Sequence, residues 1–418
     1  MKTIRMGIFG LNRGSNFIES ILANNAEIVA LCDMDTKWTD AANKKIGGTA
    51  TCYTNFDEFI EHPMDAVFLA NFFHEHTPYA IRCLEKNIHV ISECTSNSTM
   101  AEGVALVRAA KKSKAFYMIS ENYPYMLFNQ EIRRVYKEGT LGKVLFAEGE
   151  YNHPARPRPA GSKTTLVSHV RHWRNYLPRT YYITHSLAPL MLATGSKPVR
   201  VTALPVFDAP KPSTAPSAKM VFDTAAIVTT LNDDNSVFRV TGHASFAAHG
   251  NSYRLCCTNG MMENVRGMGN HVMLRYNDWN VPEGKQSNNL YVPDLNDPDA
   301  DWIYKAGHGG GDFFVIREFL RCIRENRKPE MDEYFATRMA SVAILGHRSL
   351  MEGGMPYDIP DFSKEEDCAK WENDNLSPFW YTDGRAPTLP CCSHPECSPS
   401  QEQIDAYAKL CKEERENK

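Results

Sequence analysis

The sequence predicts a two-domain protein: an α/β domain with a doubly wound parallel sheet at the N-terminus, then an α+β domain with a large open antiparallel sheet. Three observations carry that reading. Apolar strands alternate with helical stretches over roughly the first 120 residues, the pattern of a parallel sheet wound on both faces. The first strand runs straight into a glycine turn, Gly10-Leu11-Asn12-Arg13-Gly14. After Gly142 the helices thin out and long strands of alternating polarity take over.

The opening strand and its turn suit a dinucleotide. Glycines let the backbone approach a pyrophosphate, whose charge then sits on the free N–H groups of a helix starting near Arg13. The spacing departs from Gly-x-Gly-x-x-Gly, with Asn12 at the middle position and the third glycine at Gly14. Asparagine tolerates left-handed backbone best among non-glycine residues, so Asn12 is expected to take it up. A second strand, residues 27–33, ends in Asp33, where a carboxylate would accept the ribose hydroxyls. That charge repels a 2′-phosphate, and NAD is favoured over NADP. Asp35 reads as the N-cap of a helix from Lys37. Strands at residues 65–70, 88–92 and 115–119 complete this Rossmann pattern.

In the second region strands are expected at residues 143–153, 199–206, 225–231, 237–246, 253–258 and 260–266. Proline-rich loops fall at residues 154–163 and 210–217, and a polar insertion at 281–302. Helices return at residues 312–325 and 333–351, with Asp312 a suitable N-cap, and an appendage follows Pro360. Within it, Cys391, Cys392, His394 and Cys397 are metal-ligand types without Cys-x-x-Cys spacing. No metal is predicted, and the tail is expected to pack over the active site or a neighbouring subunit.

Composition narrows the function. The 418 residues carry 46 basic and 50 acidic side chains, a net charge of −4, and no basic stripe. Nucleic acid and anionic membrane are therefore excluded as expected partners. No window approaches the roughly 18 apolar residues of a membrane span, and the N-terminal apolar run is broken at Gly10 and Asn12, as in a strand rather than a signal peptide. Twelve cysteines scattered through predicted elements suit reduced core thiols and a cytoplasmic location.

Several pieces in order resemble the glucose-fructose oxidoreductase / inositol dehydrogenase (Gfo/Idh/MocA) family: the glycine turn, Leu31-Cys32-Asp33, residues 70–76, His89-Val90-Ile91-Ser92-Glu93, Glu121-Asn122, Gly142-Lys143-Val144, and Thr184-His185 before an apolar helix. The resemblance implies an NAD-binding Rossmann domain at residues 1–122, a substrate-binding and oligomerisation domain at 123–362, and an extension at 363–418. It also implies sugar-like substrates between the domains and homo-oligomers formed through the second sheet. It implies cofactor contacts from Gly10, Leu11, Asn12, Arg13, Gly14, Asp33, Asn71, His74, His76, Glu93, Cys94 and Asn122. For His74 and His76, which flank a helix start, capping is the competing reading, with the helix dipole lowering their pKa.

The departures matter most. Glu93-Cys94-Thr95 stands where most members have Glu-Lys-Pro, and Tyr181 where many have Asp. Both customary proton carriers are missing. The remaining candidates are Tyr151, His153, Tyr182 and His185. Tyr182 and His185 share a helical face, and Tyr151 and His153 share a strand face. This set resembles the NAD-dependent α-N-acetylgalactosaminidase branch, with its Tyr-x-His strand and Tyr-x-Thr-His helix. His185, Tyr182 and Tyr151 are the expected catalytic residues, and His153, Arg171, Trp173 and His308 the expected substrate contacts. The bland alternatives are interface tyrosines, a core histidine and a solvated Arg171–Arg174 loop.

The expected activity is NAD-dependent oxidation of a secondary hydroxyl on a sugar or glycoside, at carbon 3 if the resemblance carries. A 3-keto-glycoside lyase could act downstream. The alternative is an NAD-recycling glycosidase, and a non-catalytic NAD- or sugar-sensing protein is the third reading.

Overall fold

The computed structural model describes residues 3–154 and 169–416. The first sheet is formed by β1 (Ile4–Phe9), β2 (Ala26–Cys32), β3 (Thr51–Tyr53), β4 (Ala66–Leu69), β5 (His89–Ser92) and β6 (Tyr117–Ile119). The order is β3-β2-β1-β4-β5-β6 with every pair parallel. Its central strands read as apolar runs because both faces are covered: β4 is buried at every position. The order reverses between β1 and β4, and that switch point opens the crevice where such sheets hold ligands. Strand β3, three residues at an edge and partly exposed, left no usable pattern in the sequence.

The glycine turn behaves differently from expectation at one residue. Gly10 alone takes positive φ, at 87°, and a Cβ there would lie 2.4 Å from the Ala70 carbonyl oxygen. Asn12 sits inside the helical turn Leu11–Gly14 with no left-handed backbone. The helix begins immediately after Gly10, so the turn needs only one special residue. Gly14 packs so near β1 that a Cβ would meet Ile8 at 2.6 Å.

The second sheet has nine strands: β7 (Val144–Asn152), β8 (Pro198–Phe207), β9 (Asp223–Asn232), β10 (Val237–Ala244), β11 (Gly250–Cys257), β12 (Gly260–Asn264), β13 (Val272–Tyr276), β14 (Asn288–Tyr291) and β15 (Tyr357–Asp358), in the order β14-β13-β12-β11-β7-β10-β9-β8-β15. All neighbours are antiparallel except β7 and β10. The sheet is therefore mixed rather than wholly antiparallel. A parallel pair needs a long crossover, and the chain between β7 and β10 supplies it with a helix and two further strands. The insertion expected as polar loop contains β14 and the start of the helix Ala300–Lys305.

The helix Thr184–Thr194 packs on β7 and is buried at all but its last residue. The helix Glu333–Met351 lies along β8 and reaches the Rossmann helix Met100–Lys112. The tail forms the helix Glu365–Trp371, an irregular segment, and the helix Gln401–Glu416. Among the described residues, no helix is long and apolar enough to cross a membrane.

Candidate active site

The crevice end of the Rossmann sheet is lined as a dinucleotide requires. Asp33 follows β2, and its carboxylate accepts hydrogen bonds from the amides of Leu11 at 2.7 Å and Asp35 at 3.0 Å. Burial pushes this carboxyl up, with the backbone hydrogen bonds opposing. Asp35 caps the helix Thr36–Lys45 through the Lys37 amide, one residue earlier than the sequence suggested. Asn71 Oδ1 and Asn122 Oδ1 are buried with no hydrogen-bond partner. Unsatisfied buried acceptors are rare, and with the close backbone cradle at Gly10 they fit the donors of a nicotinamide dinucleotide.

Arg13 ties this crevice to the second domain. It donates to Glu93 at 2.7 Å and to Asp312 at 3.3 Å. Asp312 also accepts from Asn122 Nδ2 at 2.5 Å and pairs with His308 Nδ1 at 3.1 Å. Asp312 is thus not the helix cap the sequence suggested. Left-handed Gly310 holds that position for the helix Gly311–Glu325, and the carboxylate turns back to Arg13. Burial raises the Asp312 carboxyl, but the His308 hydrogen bond and the Arg13 charge outweigh it, bringing it down to about 2.

His74 and His76 are buried and engaged internally. His74 Nε2 donates to the Trp380 carbonyl at 2.8 Å, and His76 Nδ1 pairs with the Thr95 carbonyl at 2.9 Å. Both imidazoles are driven down chiefly by burial, His74 to about 3, so the helix dipole is not the main cause. Cys94 is buried with Sγ 3.1 Å from Glu121 Oε2, and burial followed by that carboxylate raises its thiol well above the usual range. It stays a thiol.

The three expected catalytic side chains converge although they come from separate elements. Strand β7 supplies Tyr151, the turn Arg179–Tyr182 supplies Tyr182, and the helix Thr184–Thr194 supplies His185. The ring centroid of His185 lies 4.8 Å from Tyr151 and 4.9 Å from Tyr182, both edge-on, and the two tyrosines are 5.9 Å apart. Gly149 permits this approach, because a Cβ there would lie 2.0 Å from the Ser186 carbonyl oxygen.

His185 is fixed from three sides. Its Nδ1 is 2.8 Å from Glu121 Oε1, Tyr123 stacks on its ring at 4.1 Å and 16°, and Tyr253 donates to its backbone carbonyl at 2.5 Å. Burial raises the Glu121 carboxyl, but the charge and hydrogen bond of His185, with a further bond from Cys94, leave it below the ordinary range. A wholly buried carboxylate facing an imidazole fixes the tautomer with hydrogen on Nδ1 and leaves Nε2 as the base. Burial pushes both phenols up, so Tyr151 and Tyr182 remain protonated at neutral pH.

A sequence profile described as the oxidoreductase family, NAD-binding Rossmann fold, matches residues 4–121. A second, described as the glycosyl hydrolase 109 C-terminal domain, matches residues 210–371. The chain joins a Gfo/Idh/MocA NAD-binding domain to a glycosyl hydrolase 109 C-terminal domain. Relatives include glycosyl hydrolase family 109 proteins of Saccharopolyspora erythraea, 24% identical over 87% of this chain and 84% of the relative, and Streptomyces niveus, 26% identical over 87% and 78%. The fold matches a levoglucosan dehydrogenase crystallised with NADH and L-sorbose (TM-score 0.72, 15% identity, 87% of this chain and all of that one). It also matches an NAD-binding oxidoreductase from Klebsiella pneumoniae (TM-score 0.73, 14% identity, 86% of this chain and all of that one).

Around the NAD-binding and glycosyl hydrolase 109 domains the expected substrate residues divide. His153 lies beside Tyr151, with ring centroids 5.7 Å apart, and also faces His243 and His249. His308 is paired with Asp312, with its ring 5.8 Å from Tyr123. Trp173 is 9% exposed, stacked on Phe73 at 5.0 Å and covered by Arg174 at 4.3 Å. Its aromatic face is packed rather than open. Arg171 turns to the tail, with its guanidinium 3.9 Å above Trp380. Of the two arginines in that segment, Arg174 exerts its charge on Tyr151, Tyr182 and His153.

Three residues at the cluster were not anticipated in these roles. Glu121 was visible within Glu121-Asn122 but gave no sign of pairing with His185. Arg174 was visible in the same quartet as Arg171. His243, driven down to about 3 by burial and then Arg179, stacks near Tyr151 at 5.6 Å and had no local signal. In the tail, the thiols of Cys391 and Cys392 face the Met220 carbonyl and His394 stacks on Phe207 at 3.7 Å. No group of three or more His, Cys, Asp or Glu among the described residues is arranged to hold a metal.

Proposed function

We propose that this protein oxidises a secondary hydroxyl of a sugar or glycoside, at carbon 3, with NAD as the acceptor and His185 as the proton carrier. The observation that carries this is the 2.8 Å contact of His185 with buried Glu121, between two protonated tyrosines. NAD, when bound in the crevice, supplies the two-electron acceptor. His185 Nε2 removes the hydroxyl proton, and Glu121 stabilises the imidazolium that results. Tyr182 and Tyr151 donate hydrogen bonds that hold the sugar hydroxyls against the base. Orientation supplies much of the rate, since a reacting carbon must lie about 3–3.5 Å from its acceptor. Accumulation of reduced nicotinamide on addition of a glycoside, abolished by His185→Ala, tests the proposal.

A second reading is favoured by the glycosyl hydrolase 109 domain and by the position of Tyr151, edge-on to His185 and able to handle a second proton. A ketone at carbon 3 acidifies the hydrogen on carbon 2, so loss of that proton would expel the group on carbon 1. Water addition and return of the electrons would complete an NAD-recycling glycosidase. Aglycone release without net cofactor change selects this reading. Net reduced cofactor selects the dehydrogenase, with a lyase acting downstream. Twelve cysteines scattered through the chain support a reducing, cytoplasmic setting, and the family resemblance supports a homo-oligomer formed through the second sheet.

A further inference from the structure

The segment after Trp371 lies outside both matched regions, yet it reaches the cofactor crevice. It is anchored at both ends. Asp374 pairs with both terminal nitrogens of Arg348 at 2.6 Å, and Ser393 donates its amide to Asp223 at 3.0 Å. Between these anchors it crosses the loop that follows β4, at the topological switch point. Thr382 donates its amide and its hydroxyl to the Glu75 carboxylate at 2.6 and 3.0 Å, and Trp380 supplies the carbonyl for His74. Glu75 in turn offers its backbone carbonyl to Asn71 Nδ2 at 3.0 Å, which leaves Asn71 Oδ1 as the buried free acceptor.

The same strap touches the catalytic cluster through one ring. Phe379 is fully buried and lies 6.3 Å from Phe73, 4.9 Å from His74 and 5.3 Å from Tyr181. Phe73 stacks on Tyr182 at 5.8 Å and 21°. Pulling the strap away would hydrate His74 and Glu75, strip Phe73 of one of the rings packed on it, and leave the loop held by its own Asn71–Glu75 bond and by the contacts of Phe72 with His172 and of Phe73 with Trp173 and Tyr182.

We propose that tail residues Phe379, Trp380 and Thr382 are positioning residues: they hold the Asn71–Glu75 loop for NAD and, through Phe73, set the orientation of Tyr182. The second half of this statement rests on the proposed oxidation; the first does not. The test compares Phe379→Ala, Phe379→Leu and Thr382→Val in the full chain, reading NAD Kd by titration, sugar kcat and KM, and Tm. Phe379→Ala should raise the NAD Kd about 10-fold and lower kcat by roughly 10- to 100-fold, as sub-ångström to 1 Å misplacement does. Phe379→Leu, which refills most of the volume, should recover most of both. Thr382→Val should raise the Kd about threefold, the worth of one modest hydrogen bond, and decides the matter if Phe379→Ala does not fold. A lowered Tm with Kd and kcat within about twofold of wild type, a change too small for lost positioning, would show that the tail only packs. If the wild type oxidises no sugar, the proposed function fails while the Kd comparison still decides the role of the tail.

Discussion

Two buried carboxylates near the crevice are each paired with a histidine, and their other partners set them apart. Asp312 faces His308 but also Arg13, a permanent cation. Its charge is neutralised whether or not the histidine carries a proton. Glu121 faces His185, and no lysine or arginine among the described residues forms an ion pair with it. Among the described residues its counter-charge is the His185 imidazolium, which exists only while that ring carries a second proton. A carboxylate with a fixed cation ties domains together, whereas one whose partner must be protonated to complete the pair is poised to support proton transfer.

The strongest way to break this comparison is His185→Ala, which should lower kcat by roughly 10²- to 10⁴-fold while NAD affinity stays nearly unchanged. Near wild-type turnover would move attention to Tyr151, His153 and His308. Glu121→Gln should cost about 10²-fold or more in kcat, because the neutral amide cannot stabilise an imidazolium. Equal losses from Asp312→Asn would erase the distinction drawn here.

The Asp312 side should show itself in stability. A carboxyl depressed in the folded state contributes stability that is present above its unfolded value of about 3.9 and lost as pH falls toward about 2. That contribution is on the order of 2 kcal/mol. Asp312→Asn should therefore flatten the acid limb of a Tm–pH curve between those values, and an unchanged limb would count against the ion pair. Arg13→Ala should cost about 1–3 kcal/mol, less than a fully buried pair because Arg13 is partly solvated. The smallest effect expected is from Asp33→Ala. It should weaken NAD binding by about 10-fold, the worth of one charge-assisted contact, and narrow the preference over NADP. A wild-type preference for NADP would overturn the cofactor assignment.

The Rossmann half was legible because its signals are local. An apolar strand, a glycine turn and an acid at the next strand end are read within some thirty residues, and β1, β2 and Asp33 stand where those signals put them. The helix Glu333–Met351 was legible for the same reason. Strand β3 was too short to show, and the parallel pairing of β7 with β10 depends on a crossover that no local pattern records. The convergence of Tyr151, Tyr182 and His185 could be suspected from shared faces and family spacing. That Arg171 turns to Trp380 could not, because its partner lies far along the chain in a region without periodicity.

By itself, the sequence determined the fold class and the dinucleotide turn, since each is a property of residue identity at short spacing. Only the tertiary structure decided that Glu121 orients His185, that Asp312 binds Arg13 instead of capping its helix, and that the tail grips the loop after β4. Those outcomes depend on burial and on partners brought together from distant parts of the chain. The cost of leaving a buried charge or hydrogen-bonding group unpaired selects the partner, and it acts only once the chain has folded.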